Sequence, residues 1–283
     1  TFCTSRQIRE RLYRELETDV ALRIEDTPTG NWIVSGRGEL HLAILIERLR
    51  REGYEFQVSR PQVIMRLAER ARPAQLADKS VPDKLIWLAP WEKVFIEVPE
   101  QHQGAIMEKM GTRKGELKEM RIHNGIVFLE FIIPTKGLFG YRSEFLTDTK
   151  GLGIMNTSFF QYLPDPSNWR ERLQGSLVAS ESGTSNFYGL INVQDRGVMF
   201  LNHGVPVYEG QVVGQNSRPE DIRVNICKTK QLSNMRSKGE GSDEHFNIPK
   251  TMDLEDALEY IGDDELVEVT PQNIRIRKMY LTE

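Results

Sequence analysis

The sequence predicts an α+β protein made of two α/β-sandwich domains and a mostly-β C-terminal domain with one helix. Three observations predict this class. The chain has 283 residues, which exceeds one domain of ~150 residues. Helix-period and strand-period apolar patterns alternate over residues 1–163, whereas strand-like patterns dominate from residue 164 onward. Hydrophobic residues make up 39% of the chain, which suffices for ordinary packed cores.

The first domain, residues 1–66, carries two amphipathic helix patterns and three strand patterns. The apolar spacing predicts helices over 5–17, capped by Thr4 or Ser5, and over the stretch that ends near Arg51. Strands are predicted at 20–24, 32–34 and 54–58. Gly36 and Gly38 permit a tight turn from the second strand into the second helix. The order predicts helices packed on one antiparallel sheet.

The second domain, residues 67–163, begins with a connector at 67–92. Strands and helices then alternate in the order β-α-β-β-α-β, with Asn124-Gly125 as the turn of a hairpin. The predicted elements are a strand at 94–98, a helix at 101–110, strands at 115–121 and 126–133, a helix at 141–149 and a strand at 154–162. This order is the ferredoxin-like pattern, so we predict two ferredoxin-like α/β-sandwich domains in succession.

The third domain, residues 164–283, is mostly strand-like, with repeated glycines between residues 193 and 214. A helical pattern appears once, over 254–261, with Asp253 as its N-cap. The last two strands are predicted at 266–269 and 274–280. These patterns predict a β-rich domain with a single helix.

Composition excludes several classes of protein. The net charge of −4 excludes a uniformly basic protein, and the longest apolar run, 126–133, contains Glu130 and is far shorter than the ~18 residues of a membrane span. Cys3 and Cys227 lie too far apart in sequence for a disulfide framework, which favours a reducing, cytoplasmic location. The first residues contain no signal peptide, and we expect them to follow a cut inside a longer chain.

No catalytic or metal-binding motif stands out. There is no phosphate-binding P-loop, and Gly36-Arg37-Gly38 and Gly151-Leu152-Gly153 are typical of turns. The five histidines lack metal-ligand spacing, and neither cysteine has a partner identifiable from sequence. We interpret Asp263-Asp264-Glu265 as a solvated turn rather than a cation site, because it lacks the pattern of a calcium loop. The sequence therefore predicts no catalytic residue and no metal site.

The charge pattern of the third domain is the most informative feature. Residues 222–239 contain five basic residues and no acidic one, whereas 240–268 contain one basic residue and eleven acidic ones. Small polar residues and glycines favour a mobile loop here, and its bases, amides and hydroxyls suit phosphate and ribose. From the residues alone, a solvated loop without a partner and a nucleic-acid contact stand as equal alternatives. The candidate RNA-binding residues are Arg223, Lys228, Lys230, Asn234, Arg236 and Lys238.

A second basic set lies near the middle of the chain, at Arg113, Lys114, Lys118 and Arg121. Glu116 and Glu119 alternate with these bases. We therefore predict an exposed face of mixed charge rather than a nucleic-acid site.

Several long strings resemble a known family. Ser35-Gly36-Arg37-Gly38-Glu39-Leu40-His41-Leu42 resembles domain III of elongation factor G, and Gly137-Leu138-Phe139-Gly140-Tyr141-Arg142-Ser143-Glu144-Phe145 resembles its domain V. Gln194-Asp195-Arg196-Gly197 and Lys230-Gln231-Leu232-Ser233-Asn234-Met235-Arg236 are similar to the C-terminal domain of one branch, the translational GTPases called TypA or BipA. The resemblance departs from the family at the Cys3-Thr4 junction, in the connector at 67–90 and at 245–250.

The resemblance implies that the chain is the C-terminal half of a GTPase. Residues 1–66 would be the domain III-like part, 67–163 the connector plus domain V-like part, and 164–283 the TypA/BipA-specific domain. GTP and Mg²⁺ would bind a domain that this chain lacks, so this segment would hold no cofactor and would not be an enzyme.

The partners implied by the resemblance are the 70S ribosome and its 50S subunit, rRNA and A-site tRNA. A loop carrying Lys228, Lys230, Asn234, Arg236 and Lys238 would make the tRNA contact. The family is linked to large-subunit assembly and to cold or other stress, and we expect a monomer without membrane contact. The alternative is a protein-interaction module that relays the nucleotide state of the absent GTPase domain without touching RNA.

Overall fold

The computed structural model of the protein describes residues 4–69, 85–166, 172, 174–229 and 246–282. These residues divide into two compact units, which are considered separately. One unit contains the described residues up to 61 together with those from 172 onward. The other contains the described residues from 62 to 166. The first and third predicted domains thus belong to one compact unit.

The first block, meaning the described part of residues 1–66, contains two helices and three strands, as the apolar spacing predicts. They are α1 (Ser5–Glu15), β1 (Arg23–Asp26), β2 (Trp32–Ser35), α2 (Glu39–Arg51) and β3 (Phe56–Ser59). The predicted cap of α1 is confirmed, because the Thr4 hydroxyl accepts from the N–H of Gln7 and the Gln7 side chain accepts from the N–H of Thr4. β1 and β2 form an antiparallel pair, and Ile8, Leu12 and Leu49 meet in a small core.

The glycine-rich turn before α2 is held by a histidine. The His41 Nδ1 accepts from the N–H of Arg37 at 3.1 Å, and its Nε2 lies 2.5 Å from the Asp19 carboxylate. A Cβ at position 36 would collide with the His41 ring. The string that resembles domain III therefore includes a tight turn. The interpretation of Gly36-Arg37-Gly38 as a turn is confirmed.

The second unit has the predicted ferredoxin-like order. Its elements are β4 (Arg66–Glu69), β5 (Leu85–Pro99), α3 (Gln103–Thr112), β6 (Glu116–His123), β7 (Ile126–Pro134), α4 (Thr135–Leu138), α5 (Tyr141–Asp148) and β8 (Ile154–Pro164). The strand order is β6-β7-β5-β8, all antiparallel, and β4 pairs with the first residues of β5. Part of the predicted connector is therefore strand.

The hairpin turn and the core of this unit follow from local sequence. Asn124 and Gly125 have φ values of 50° and 75°, the left-handed conformation that a two-residue hairpin turn requires. Val94, Ile96 and Val98 alternate inward from β5 and pack with α3 and α5. The intervening side chains face away from these helices.

The third block, or C-terminal block, is the part of the chain from residue 164 to 283. It contains eight strands and two helices among its described residues. They are β9 (Ser176–Ala179), β10 (Gly183–Thr184), α6 (Phe187–Gln194), β11 (Gly197–Met199), β12 (Pro206–Val207), β13 (Gln211–Asn216), β14 (Ile222–Val224), α7 (Leu254–Tyr260), β15 (Glu265–Val269) and β16 (Ile274–Lys278). The prediction of α7 with Asp253 as its N-cap is confirmed.

The prediction of only one helix in this domain is wrong. Helix α6 was missed because it contains aromatic and β-branched residues, which are typical of strands. Its start is set by Asn186, whose Oδ1 accepts from the N–H of Tyr188 at 3.0 Å. Leu190 and Val193 of α6 then enter the core of the domain. Capping and tertiary packing override the strand-like composition here.

Strand β3 joins the sheet of the third block. The sheet order is β14-β9-β13-β16-β15-β3, with β11 also paired to β13. Val58 of β3 lies opposite Val267 of β15 in an antiparallel register. The expectation that β3 shares a sheet with β1 and β2 is therefore wrong. Alternation of apolar residues predicts a strand but does not specify which edge it pairs with.

A shared core backs this strand pairing. Ala43 of α2 lies in the same buried cluster as Leu258 of α7 and Val267 of β15. At the rim, the Arg50 guanidinium donates to the carbonyl of Pro271 at 2.8 Å, and Arg60 lies 3.4 Å from Asp263. The first block and the C-terminal block are thus joined by main-chain pairing, apolar packing and polar contacts at once.

Among the described residues, no helix has the length and apolar character needed to cross a bilayer.

The shared core predicts coupled stability of the two blocks. Leu258→Ala should lower the free energy of unfolding by about 2 to 5 kcal/mol, because it removes a buried side chain from the core that β3 and β15 share. Hydrogen exchange should accelerate in β3 as well as in β15. As the matched control, Ile106→Ala in the other unit should accelerate exchange in β5 and β7 and leave β3 unchanged. Unaltered protection of β3 in Leu258→Ala would contradict the shared core.

Candidate nucleic-acid interface

The structure describes two of the six candidate RNA-binding residues. Arg223 lies in β14, and Lys228 lies four residues beyond the end of that strand. Lys230, Asn234, Arg236 and Lys238 lie outside the described residues. The structure therefore describes residues 222–229 and 246–250 on the two sides of these positions, and we call them the base of the basic stretch.

Arg223 makes contacts within the domain. Its guanidinium lies 3.1 Å from the Glu209 carboxylate and donates to the carbonyl of Leu281 at 3.3 Å. Both side chains of the ion pair are about one third exposed. A phosphate would have to compete with Glu209 for this guanidinium.

The chain approaches Lys228 along a path held by hydrogen bonds. The carbonyl of Val224 accepts from the N–H of Ser180 at 3.0 Å, and that of Ile226 accepts from the N–H of Asn186 at 2.8 Å. Position 189 of α6 is glycine because a Cβ there would collide with the carbonyl oxygen of Ile226. Lys228, two residues further on, is exposed. Its position is thus set by the start of α6.

The described residues from 246 onward also contact α6. The ring of Phe246 contacts that of Phe187, with centroids 6.3 Å apart. The N–H of Asn247 donates to the Gln194 side chain at 3.1 Å, and that of Lys250 donates to the carbonyl of Met199 at 2.8 Å. The described residues on both sides of 230–245 therefore dock on α6 and the strand that follows it.

The base of the basic stretch also carries an aromatic pair that the sequence analysis does not predict. Phe187, the first residue of α6, meets His203 edge to face, with centroids 6.2 Å apart. Both residues are exposed. No signal in the sequence links positions 187 and 203, because their contact depends on the tertiary structure. An Asn-Phe pair at a helix start is the only local cue.

The acidic stretch that follows the basic one is used by the fold. Asp253 caps α7 by accepting from the N–H of Asp256 at 2.8 Å. The Asp256 carboxylate lies 3.5 Å from Lys250, and Asp263 pairs with Arg60. These carboxylates therefore have structural partners, and their abundance needs no separate functional explanation.

The interpretation of 263–265 as a solvated turn is wrong for Glu265. This side chain is fully buried at the start of β15. Arg172 donates to both its carboxylate oxygens, at 2.8 and 3.1 Å, and the Ser176 hydroxyl donates at 2.6 Å. Lys278 lies 3.1 Å away, and the Arg172 guanidinium stacks over the Tyr260 ring at 4.3 Å. Arg172 and Lys278 thus neutralise the buried carboxylate, and we call this group the Glu265 cluster.

Burial and pairing act in opposite directions on this cluster. Burial would raise the pKa of Glu265, but the hydrogen bonds and charge of Arg172, with the Ser176 hydroxyl and the Gly262 N–H, lower it to about 2. Burial would lower the pKa of Lys278, but Asp221, Asp264 and Glu265 raise it. Within the described ranges, no group of three His, Cys, Asp or Glu side chains is arranged to hold a metal ion.

The second basic set is a face of mixed charge, as predicted. Lys118 pairs with Glu116 at 2.8 Å, and Arg121 pairs with Glu119 at 2.5 Å. Arg113 donates to the carbonyls of Gly137 and Phe139 and pairs with Glu144. These bases are compensated by neighbouring carboxylates or carbonyls.

Three protein families match successive parts of the chain. Residues 4–60 match the family profile of elongation factor G domain III, residues 87–173 that of the elongation factor G C-terminus, and residues 174–283 that of the TypA/BipA C-terminal domain. Proteins named "Large ribosomal subunit assembly factor BipA" are similar along the chain. The Synechocystis protein is 49% identical over 98% of the chain, the Bacillus subtilis protein 45% over 99%, and the Escherichia coli protein 46% over 100%. The chain spans 44% of the length of each of these relatives.

The Glu265 cluster predicts a specific loss of stability in acid. Because its folded pKa of about 2 lies below the ordinary 4.5, ionised Glu265 stabilises the fold above about pH 4.5, and this contribution is lost as pH falls toward 2. Glu265→Gln should lower the free energy of unfolding by about 3 kcal/mol near pH 6 and by about half of that near pH 3 in urea titrations.

The matched control is Glu255→Gln, an exposed carboxylate in the first turn of α7. Its effect should stay below about 1 kcal/mol at either pH, since the interaction with the helix dipole is small. A deficit in Glu265→Gln that does not change with pH would contradict the assignment.

Proposed function

This chain belongs to the TypA/BipA family, and on that premise we propose that it is the ribosome-binding part of a factor that acts in large-subunit assembly. Support comes from relatives that are named large ribosomal subunit assembly factor and that are similar to this chain over 98% and 99% of its length. Because the chain spans 44% of those relatives, the activity of the whole protein enters as part of the proposal.

The observation that carries the proposal is the basic stretch of the C-terminal domain. Residues 222–239 contain five bases and no acid. The described residues on either side of 230–245 are held on α6, so the stretch is anchored at both sides. A cluster of lysines and arginines lowers the free energy of RNA binding by neutralising phosphates and releasing condensed counterions.

The proposed ligands are rRNA and the A-site tRNA on the 50S subunit and the 70S ribosome. Lys228, Lys230, Arg236 and Lys238 would contact phosphates, and Asn234 would donate to a phosphate or a ribose. Arg223 has a smaller share in this scheme, because Glu209 already neutralises its charge. The protein would act as a monomer in assembly under cold or other stress.

GTP hydrolysis belongs, in this proposal, to a part of the protein outside these 283 residues. The segment then needs no cofactor and no catalytic residue of its own. Its contribution is binding and positioning, which require charge and a fixed scaffold rather than a nucleophile and a base.

A relay of nucleotide state without RNA contact is the second candidate. One observation favours it. Strand β3 completes the sheet of the C-terminal block, and α2 and α7 share a core. A displacement of the first block would therefore carry the C-terminal block with it, because the two are joined through paired main chain.

Salt titration of binding to purified 50S subunits separates the two candidates. Changing Lys228, Lys230, Arg236 and Lys238 together to Ala should weaken binding. It should also make the slope of log K against log salt shallower by about 0.7 to 0.9 per lost phosphate contact. Filter binding or sedimentation at several salt concentrations measures both quantities.

The matched control changes four other exposed bases to Ala, namely Arg6, Arg9, Lys118 and Arg121. Each pairs with a carboxylate in the fold, so net charge changes equally while no free cation is lost. This control should bind with nearly the wild-type slope. Equal slopes for the wild type and the first variant would exclude phosphate contact by the stretch and favour the relay.

The chain by itself should not hydrolyse GTP. Incubation of the 283-residue protein with GTP and Mg²⁺, with and without ribosomes, should release phosphate only at the rate of matched samples lacking the protein. Hydrolysis that increases with the concentration of the chain, and that survives repeated purification, would overturn the assignment of catalysis to another part of the protein.

A further inference from the structure

Two aromatic rings are exposed beside the base of the basic stretch. The side chain of Phe187 is 44% exposed, and His203 is exposed as well. Their rings meet at an interplanar angle of 88°, which makes a corner of two perpendicular aromatic surfaces. A flat ring that stacks on one of them presents its edge to the other.

The fold ties together the backbone segments that carry the two rings. The buried Ser185 precedes Phe187 by two residues, and its hydroxyl donates to the carbonyl of Asn202 at 2.7 Å and accepts from the N–H of Val205 at 3.0 Å. Backbone hydrogen bonds of 2.9 and 2.8 Å join Ser185 to Val205 and Gly204. The turn that carries His203 is therefore tied to the residues that begin α6. A preorganised pair loses little conformational entropy when it binds a ligand.

A lysine follows the backbone contact between the start of α6 and residue 226. Asn186, next to Phe187, donates from its N–H to the carbonyl of Ile226 at 2.8 Å, and the exposed Lys228 follows two residues later. Phe246 packs against Phe187, so the aromatic corner lies between the two described flanks of residues 230–245. Aromatic rings beside lysines form the combination that binds single-stranded nucleic acid, in which bases stack and phosphates pair with cations.

We propose that Phe187 and His203 form a stacking site for an unpaired base of RNA, with Lys228 supplying charge for the adjoining phosphate. This inference rests on the proposed function and deepens it. A duplex hides its base faces, so the site selects single-stranded RNA or a flexible end. The basic stretch supplies attraction that is independent of sequence, and the corner adds a preference for exposed bases.

The test uses the 283-residue chain and a fluorescein-labelled single-stranded RNA of about 12 nucleotides, compared with the same RNA as a duplex. Phe187→Leu retains apolar packing against Phe246 but removes the π face. Its affinity for the single strand should fall about fivefold or more, with the duplex affinity unchanged. The slope against salt should stay at the wild-type value, because no phosphate contact is lost.

Four further variants complete the series. Phe187→Tyr keeps the ring and should bind the single strand as the wild type does. Lys228→Ala should make the salt slope shallower by about 0.7 while retaining the preference for single strand over duplex. His203→Ala should act in the same direction as Phe187→Leu. Tyr280→Leu removes an exposed ring that follows β16 and should bind both probes like the wild type.

The outcomes separate this inference from the proposed function. Single-strand affinity that is unchanged in Phe187→Leu would overturn the stacking site, as would equal losses on single strand and duplex, or no wild-type binding of the probe. The proposed function would still stand if wild-type binding to 50S subunits remains salt-dependent. Equal thermal unfolding of Phe187→Leu and Phe187→Tyr shows that any difference in binding comes from the ring.

Discussion

The pairing of β3 with β15 is the contact on which the arrangement of one whole unit depends. It connects chain segments some two hundred residues apart, since Val58 lies opposite Val267. Without it, β15 would be an edge strand with unpaired backbone groups. Ala43 and Leu258 close the core behind the pair. The first and last blocks therefore share one sheet and one core although they match different families.

The buried Glu265 cluster fixes the first residue of β15. Glu265 begins the strand, and Arg172 binds it from the residues that lead into the C-terminal domain. Such a cluster adds less net stability than its number of contacts suggests, because desolvation of the charges opposes their attraction. Its directional hydrogen bonds do specify one position for the entering chain. The strand pairing and the ion cluster together orient β15 within the domain.

The C-terminal domain combines a basic stretch with a larger number of acidic residues. Some of these acids cap a helix or form ion pairs, as Asp253 and Asp256 do. Within the described part of the basic stretch, Arg223 pairs with Glu209 and Lys228 is exposed. The described residues that flank 230–245 dock on α6. The aromatic corner at Phe187 lies at the same site and offers a different kind of contact.

Local sequence determined most of the elements of this protein. Apolar periodicity predicted α1, α2 and α7, the left-handed preference of Asn124-Gly125 predicted the hairpin, and Asp253 predicted a helix start, because each depends on residues close in the chain. The long strings predicted the family, and the charge pattern predicted the candidate stretch. Its residues Lys230, Asn234, Arg236 and Lys238 remain predictions, since they lie outside the described residues.

Only the tertiary structure decided which edges and side chains meet. Alternation in β3 is compatible with any sheet edge, so its pairing with β15 could not be read from residues 56–59. Helix α6 exists because a cap and a core override its strand-like composition. Glu265 in an acidic run looks solvated until Arg172 is brought to it from 93 residues away. The contact between Phe187 and His203 arises in the same way. Pattern is a property of neighbours in sequence, whereas pairing and burial depend on the free energy of the whole fold.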